Sequence, residues 1–148
     1  MFKGLSIASA GMSAQRARLH LVSSNIANAS TTRTESGGAY KRQEAVFQTT
    51  LPKGWADAME AGDLKASAVD MAMRGVKVSG VQEDQSPGPL IFDPGHPDAD
   101  EDGNVQMPNV NPVEEMVDMI AASRSFEANA QSFQTLRDMI TRAMDIGR

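Results

Sequence analysis

Apolar residues recur at alternating three- and four-residue intervals at both ends of this 148-residue chain, and nothing else in it constrains the fold so strongly. Near the start, Leu5, Ala8, Met12, Leu19, Val22, Ile26 and Ala29 keep the spacing, and only Gln15 breaks it. Near the end, Met119, Ala122, Phe126, Phe133, Leu136, Ile140 and Ala143 keep it, broken only at Asn129. A seven-residue repeat with two apolar places is the seam of a coiled coil. It is narrower than the stripe a globular helix turns to its core. The first pattern predicts a helix over residues 2–29, a rod of roughly 42 Å.

The second helix carries its own punctuation. Asn111 suits the N-cap, Pro112 the first helical place, and Glu114 follows three residues after the cap. Glu114, Glu115 and Asp118 crowd the first turns, while Arg137 and Arg142 stand near the far end, as the helix dipole favours. Gly147 supplies a stop after about 35 residues. Val113, Met116, Val117 and Ile120 add a second apolar strip, so this helix needs more than one partner. Residues 1–34 hold Lys3, Arg16, Arg18 and Arg33 and no acid, which makes the first helix the electrostatic complement of the second. Two long helices with more apolar strip than one pair can bury describe a subunit that completes its packing in neighbouring copies.

Composition narrows the function classes. There are 14 basic and 19 acidic residues, a net charge of −5, which argues against nucleic acid as a partner. There is no cysteine, hence no disulfide framework and no thiolate chemistry. No apolar run reaches the roughly 18 residues of a membrane span. The opening "MFKGLSIASAGM" has a small-residue A-x-A at Ala8–Ala10, but "GLSI" is too short and too polar for the core of a signal peptide. With 5% aromatic residues and 10 methionines, the chain suits adaptable packing seams better than one compact core.

Between the helices the sequence reads as short strands and turns. "ESGGAYKRQEAVFQ" offers a Gly-Gly turn followed by alternation at Tyr40, Arg42, Ala45 and Phe47. "GVKVSGVQED" alternates at Val76, Val78 and Val81, with Gly80 placed for a bulge. "PLIFDP" is a short apolar run ended by proline. Residues 51–74 are rich in Ala and Met and admit either a short helix or a chain without fixed structure; Trp55 there is a packing anchor or a contact residue. The expected fold is α+β, mainly α. Residues 1–34 and 108–148 form a discontinuous helical domain, paired as an antiparallel coiled coil. Residues 35–107 form a small β-rich outer domain with a variable segment at about 50–74.

One stretch invites a chemical reading. In "DADEDGNVQMPN", Asp98, Asp100 and Asp102 occupy the first, third and fifth places of an EF-hand loop and Gly103 the sixth. The twelfth place, which needs a bidentate Glu, is Asn109, and prolines stand on both flanks where helices are required. The better expectation is a hairpin. Asp102-Gly103 is a type I′ turn signal between "LIF" and "NVQM", and the acids decorate an exposed loop facing a neighbouring subunit. His20 and His96 have no companion His or Cys at ligand spacing. No phosphate loop, dinucleotide fingerprint, nucleophile elbow or zinc signature is present, so no enzymatic activity, cofactor or metal is expected.

The polar run "SSNIANASTT", residues 23–32, admits two readings. Ser and Asn bond their own backbone and fray helix ends. Alternatively, Asn25 and Asn28, three apart and flanking Ile26, form a hydrogen-bonding patch that fixes how this helix end meets a neighbour. Following a heptad helix, "SSNIANAST" resembles the signature of the bacterial flagellar axial proteins, the rod, hook and hook-associated subunits. Most of them continue with a threonine, a glycine and an aromatic, where this chain has "TTRTESGGAYKRQEAVF". That departure, with "FDPGHPDADEDGNVQMPNVNPVEEMVDMIAASRSFEANA", resembles the proximal rod members of the family. The likeness covers residues 1–49 and 75–148.

The resemblance implies a structural subunit of the flagellar proximal rod, with the paired terminal helices as its inner, D0-like domain. It implies export without a cleaved signal peptide through the flagellar type III apparatus, and helical polymerisation into a torque-transmitting periplasmic shaft. Expected partners are the chain itself, other proximal and distal rod subunits and the export apparatus, with no nucleic acid and no direct membrane span. The residues expected to pack between subunits are Leu5, Ala8, Met12, Leu19, Val22, Asn25, Ile26, Asn28, Met119, Phe126, Phe133, Leu136 and Ile140. Two rival readings are a calcium-responsive helical regulator using the 98–109 loop and a different flagellar rod subunit.

Overall fold

A computed structural model of the chain describes residues 2–35, 37–50 and 74–146. The element order is α1 (Phe2–Ala27), β1 (Gln43–Thr50), β2 (Gly75–Glu83), β3 (Leu90–Phe92), β4 (Asn104–Gln106) and α2 (Pro112–Ile146). Both long helices form where the heptad pattern places them. At the start of α2, Asn111 Oδ1 accepts the Val113 N–H at 3.1 Å, and the Asn111 carbonyl accepts the first helical bond from Glu115. At the end of α1, the Asn28 side chain donates back to the Ser24 carbonyl (2.9 Å) and accepts from the Thr31 hydroxyl (3.2 Å). The helix therefore stops in an orderly turn. Trp55, the 51–73 stretch and Gly147 lie outside the described residues.

The chain divides into two compact units. The first holds residues 1–17, 47–79 and 123–148. Here α1 and α2 approach closely. A Cβ built on Gly4 would stand 3.2 Å from Leu136 Cδ1, and one on Gly11 would stand 2.9 Å from Asn129 Oδ1. Rising numbers on α1 meet falling numbers on α2, so the helices run in opposite senses. Among the described residues of this unit the buried apolar ones are Ala8 and Ala14, both small. Asn129, which breaks the apolar repeat, stands beside a glycine that leaves it room.

The second unit holds residues 18–46 and 80–122. Its buried apolar residues are Val22, Val105 and Ala122. The helices are again opposed, with Arg18 on Asp118 and Asn25 on Glu115. β1 pairs with β2, and β3 pairs antiparallel with β4 in the register Leu90↔Gln106, Ile91↔Val105 and Phe92↔Asn104. In this small hairpin Val105 is the inward residue, while Leu90, Ile91 and Phe92 stay exposed.

The hairpin corrects one expectation. β3 and β4 are joined by the whole of residues 93–103, and Asp102-Gly103 is no two-residue type I′ turn. A type I′ turn needs positive φ at both central residues; Gly103 has φ 77°, and no described non-glycine residue has positive φ. The loop is closed instead by backbone bonds, Asp93 N–H to the Gly103 carbonyl and Asp100 N–H to the Asn104 carbonyl, each at 2.9 Å, and the Asp93 and Asp100 side chains accept further N–H groups within it.

Gly88 marks the tightest backbone approach. A Cβ there would fall 2.1 Å from the Met107 carbonyl oxygen and 2.7 Å from Pro108 C, both main-chain atoms without freedom to move aside. Gly80 in β2 has nothing within 4 Å of such a Cβ. Gly88→Ala is expected to cost about 1–3 kcal/mol through overpacking. Gly80→Ala should be neutral or slightly stabilising, since Gly disfavours strands. Paired thermal melts of the two variants check this; equal midpoints would contradict it.

Candidate functional site

The chemistry of the second unit gathers around two side chains. Glu115 is 0% exposed and Asn25 is 1% exposed, and they are the largest fully buried side chains among the described residues. Glu115 stands four residues before Met119, so it continues the α2 seam inward. The sequence reading grouped it with Glu114 and Asp118 as first-turn acids favoured by the helix dipole; the structure sets it apart by burying it. A buried carboxylate requires partners, and two are present. Arg42 Nε donates to Glu115 Oε1 at 2.5 Å, and Asn25 Nδ2 donates to Oε2 at 3.0 Å.

Asn25 uses its full bonding capacity. Its Oδ1 accepts from the Gln43 N–H and from the Tyr40 hydroxyl, each at 3.0 Å, while its Nδ2 donates to the Gln43 carbonyl at 2.9 Å as well as to Glu115. The side-chain amide thus pairs with the Gln43 backbone as a neighbouring strand would. Tyr40 also lies 3.4 Å from the Ser24 hydroxyl. The frayed end of the first reading of "SSNIANASTT" is replaced by an ordered turn, and the hydrogen-bonding patch of the second forms within one chain. Asn28 finishes the helix, and Asn25 fixes what the helix end meets, a segment of the same chain.

Arg42 ties the node together. Its backbone N–H donates to Asn109 Oδ1 (2.7 Å), its carbonyl accepts the Asp84 N–H (2.8 Å), and Asn109 Nδ2 donates to the Asp84 carbonyl (3.1 Å). The guanidinium also meets Glu44 and lies 3.5 Å from Asp118 Oδ2, whose other oxygen takes Arg18 at 2.9 Å. Burial works to lower the Arg42 pKa, but the hydrogen bonds to Glu115 and Glu44, with their charges, outweigh it and hold the group above its ordinary value. Asp84 is held below the usual carboxylate range, first by the Ser86 hydroxyl and backbone donors and then by the Arg42 charge. Arg18 and Asp118, members of the cationic and acidic helices read from sequence as electrostatic complements, pair within one chain.

The acidic loop is built for itself. Asp100 Oδ1 accepts from the N–H groups of Asp102 (3.0 Å) and Asn104 (2.7 Å), and Asp93 Oδ1 from Gly95 (3.1 Å). Asp98 takes the Thr32 hydroxyl at 2.8 Å and Arg33 at 3.5 Å, while His96 Nδ1 accepts the Asp98 N–H at 3.1 Å. Asn109, at the twelfth place of the EF-hand pattern, is occupied by Arg42 and Asp84. Among the described residues no group of three or more His, Asp or Glu side chains is arranged to hold a metal ion, and no described helix is long and apolar enough to cross a membrane.

Of the residues expected to pack between subunits, Ala8, Val22 and Asn25 are buried. Leu5, Met12, Leu19, Ile26, Asn28, Met119, Phe126, Phe133, Leu136 and Ile140 are half-buried. The second strip of α2 is open, with Val113, Met116, Val117 and Ile120 at 67%, 52%, 62% and 55% exposure. Sequence reasoning missed Arg42, Tyr40, Gln43 and Asn109 as members of one node. The available signal was an acid, Glu115, in register with an apolar repeat.

Because Asn25 satisfies a backbone pair, a hydroxyl and a carboxylate at once, its replacement leaves several buried groups unpaired. Asn25→Ala is expected to cost about 1–3 kcal/mol. Asn25→Asp should cost at least as much at neutral pH, since it keeps the shape but loses both N–H donors and sets a second carboxylate beside Glu115. Urea unfolding followed by circular dichroism checks both; an unchanged midpoint for Asn25→Asp would contradict the assignment.

Comparison with known proteins matches both helical ends. Residues 5–33 match the family described as flagella basal body rod protein, and residues 101–146 match the family described as flagellar basal body rod FlgEFG protein C-terminal. Over 99% of its length the chain is 40% identical to the flagellar basal-body rod protein FlgC of Borreliella burgdorferi, covering 97% of that protein. It is 37% identical to FlgC of Bacillus subtilis, again over 99% of this chain and 98% of that one. It is 36% identical to FlgC of Salmonella typhimurium over 96% and 94%. With identity of this order along nearly the whole length, the chain belongs to the FlgC family of flagellar basal-body rod proteins.

Proposed function

We propose that the chain is a structural, non-enzymatic subunit of the flagellar proximal rod. In this reading it polymerises helically through its terminal helices into the periplasmic drive shaft, after export through the flagellar type III apparatus without a cleaved signal peptide. Residues 1–34 and 108–148 act as the inner helical domain, paired as a coiled coil, and residues 35–107 as the outer one. The observation that carries the reading is the open strip Val113, Met116, Val117 and Ile120 on α2. Consecutive exposed apolar side chains on one face of a helix are what an interface leaves uncovered in the free subunit. In a rod protein the partner that covers it is a neighbouring rod subunit. The heptad residues from Leu5 to Ile26 and from Met119 to Ile140 support the same reading, since many are only half-buried within one chain.

Val117→Asp tests it. Val117 is already solvent-facing, so the substitution leaves helical circular dichroism unchanged, whereas an aspartate under a neighbouring subunit is an unpaired buried charge. Cells carrying only this variant are expected to export the chain and lose swimming, with isolated basal bodies lacking rods. Normal rods and swimming would overturn the role of the strip.

A further inference from the structure

We propose that the dipeptide Arg42-Gln43 is a brace that sets the axial register of α1 against α2 in the second unit. The two residues are adjacent in the chain, and each is gripped from a different helix. Gln43 is held through both backbone groups by Asn25 of α1, at 3.0 and 2.9 Å. Arg42 is held through its guanidinium by Glu115 of α2, at 2.5 Å. The Arg42 N–H is held in addition by Asn109, three residues before α2 begins, at 2.7 Å. Asn25 and Glu115 also meet directly at 3.0 Å.

Such a brace is needed because the apolar packing discriminates poorly. The buried apolar side chains of this unit are Val22, Val105 and Ala122, all small, while its largest fully buried side chains are Glu115 and Asn25. In a heptad repeat a shift of seven residues presents the same kind of apolar seam again, and small knobs lose little by it. One such shift moves a helix by about 10 Å along its axis. Arg18 stands seven residues before Asn25, so one of the two possible shifts would even bring a cation to Glu115. That shift cannot occur while the brace holds, because neighbouring residues of one extended segment cannot follow helices moving 10 Å apart. A single buried polar group is the device that fixes register where apolar packing alone does not.

The test reads register directly. Spin labels on cysteines placed at Ser23 and Glu114, both exposed, report the offset by pulsed electron resonance in the full chain. The parent chain should give one narrow distance. Arg42→Met leaves Glu115 buried without its cation and risks unfolding, so the deciding variant is Arg42→Met with Glu115→Met. That pair keeps the volume, removes both charges and is expected to retain the helical signal. The expected result is a second distance population displaced by up to about 10 Å. One unshifted distance in the folded double variant would overturn the proposal. So would loss of helical signal in the double variant, since the pair would then be required for folding and not for register.

Discussion

A carboxylate with no exposure to water dictates the organisation of the second unit. Glu115 sits in the first turn of α2, where an exposed acid would be cheap, yet it faces inward along the heptad seam. Once there it requires a cation and further donors, because an uncompensated buried charge is among the most costly features a fold can carry. Arg42 and Asn25 meet that need. Their own remaining groups then recruit Tyr40, Gln43, Asn109 and Asp84 until each is bonded. Two helix ends, the start of β1 and the end of β2 are thereby connected through hydrogen bonds.

The apolar interior has a different character. Among the described residues Ala8, Ala14, Val22, Val105 and Ala122 are its buried members, and Gly4 and Gly11 let α1 and α2 approach closely in the first unit. Small residues bury little area, so these positions contribute modest hydrophobic stabilisation. At the same time large apolar side chains remain open on β3 and on the first turns of α2. Such open apolar side chains suit a subunit that assembles with others, in keeping with a family of rod proteins.

The acidic loop shows how spacing can mimic a site. Aspartates at alternate positions followed by glycine make a calcium loop when a glutamate closes the far side. Here Asp93 and Asp100 bond backbone N–H groups of the loop, Asp98 bonds Thr32 and Arg33, and Asn109 serves the polar node. These side-chain bonds add to the backbone bonds of the connection itself, among them Asp93 N–H to the Gly103 carbonyl and Asp100 N–H to the Asn104 carbonyl.

Periodicity alone determined much of this protein. The heptads of Leu5–Ile26 and Met119–Ile140, the Asn111-Pro112 start and the alternation in "GVKVSG" each state a local preference that the chain obeys. "SSNIANAST" carried the resemblance to the family, and the matching family model over residues 5–33 includes it. What only the tertiary structure decided was which polar residues meet. Arg42 and Glu115 are 73 positions apart, Asn25 and Glu115 are 90 apart, and Thr32 and Asp98 are 66 apart. No local rule links residues at such separations. The direction in which a charged side chain points is set by where its counter-charge is delivered, and that depends on the path of the chain between them.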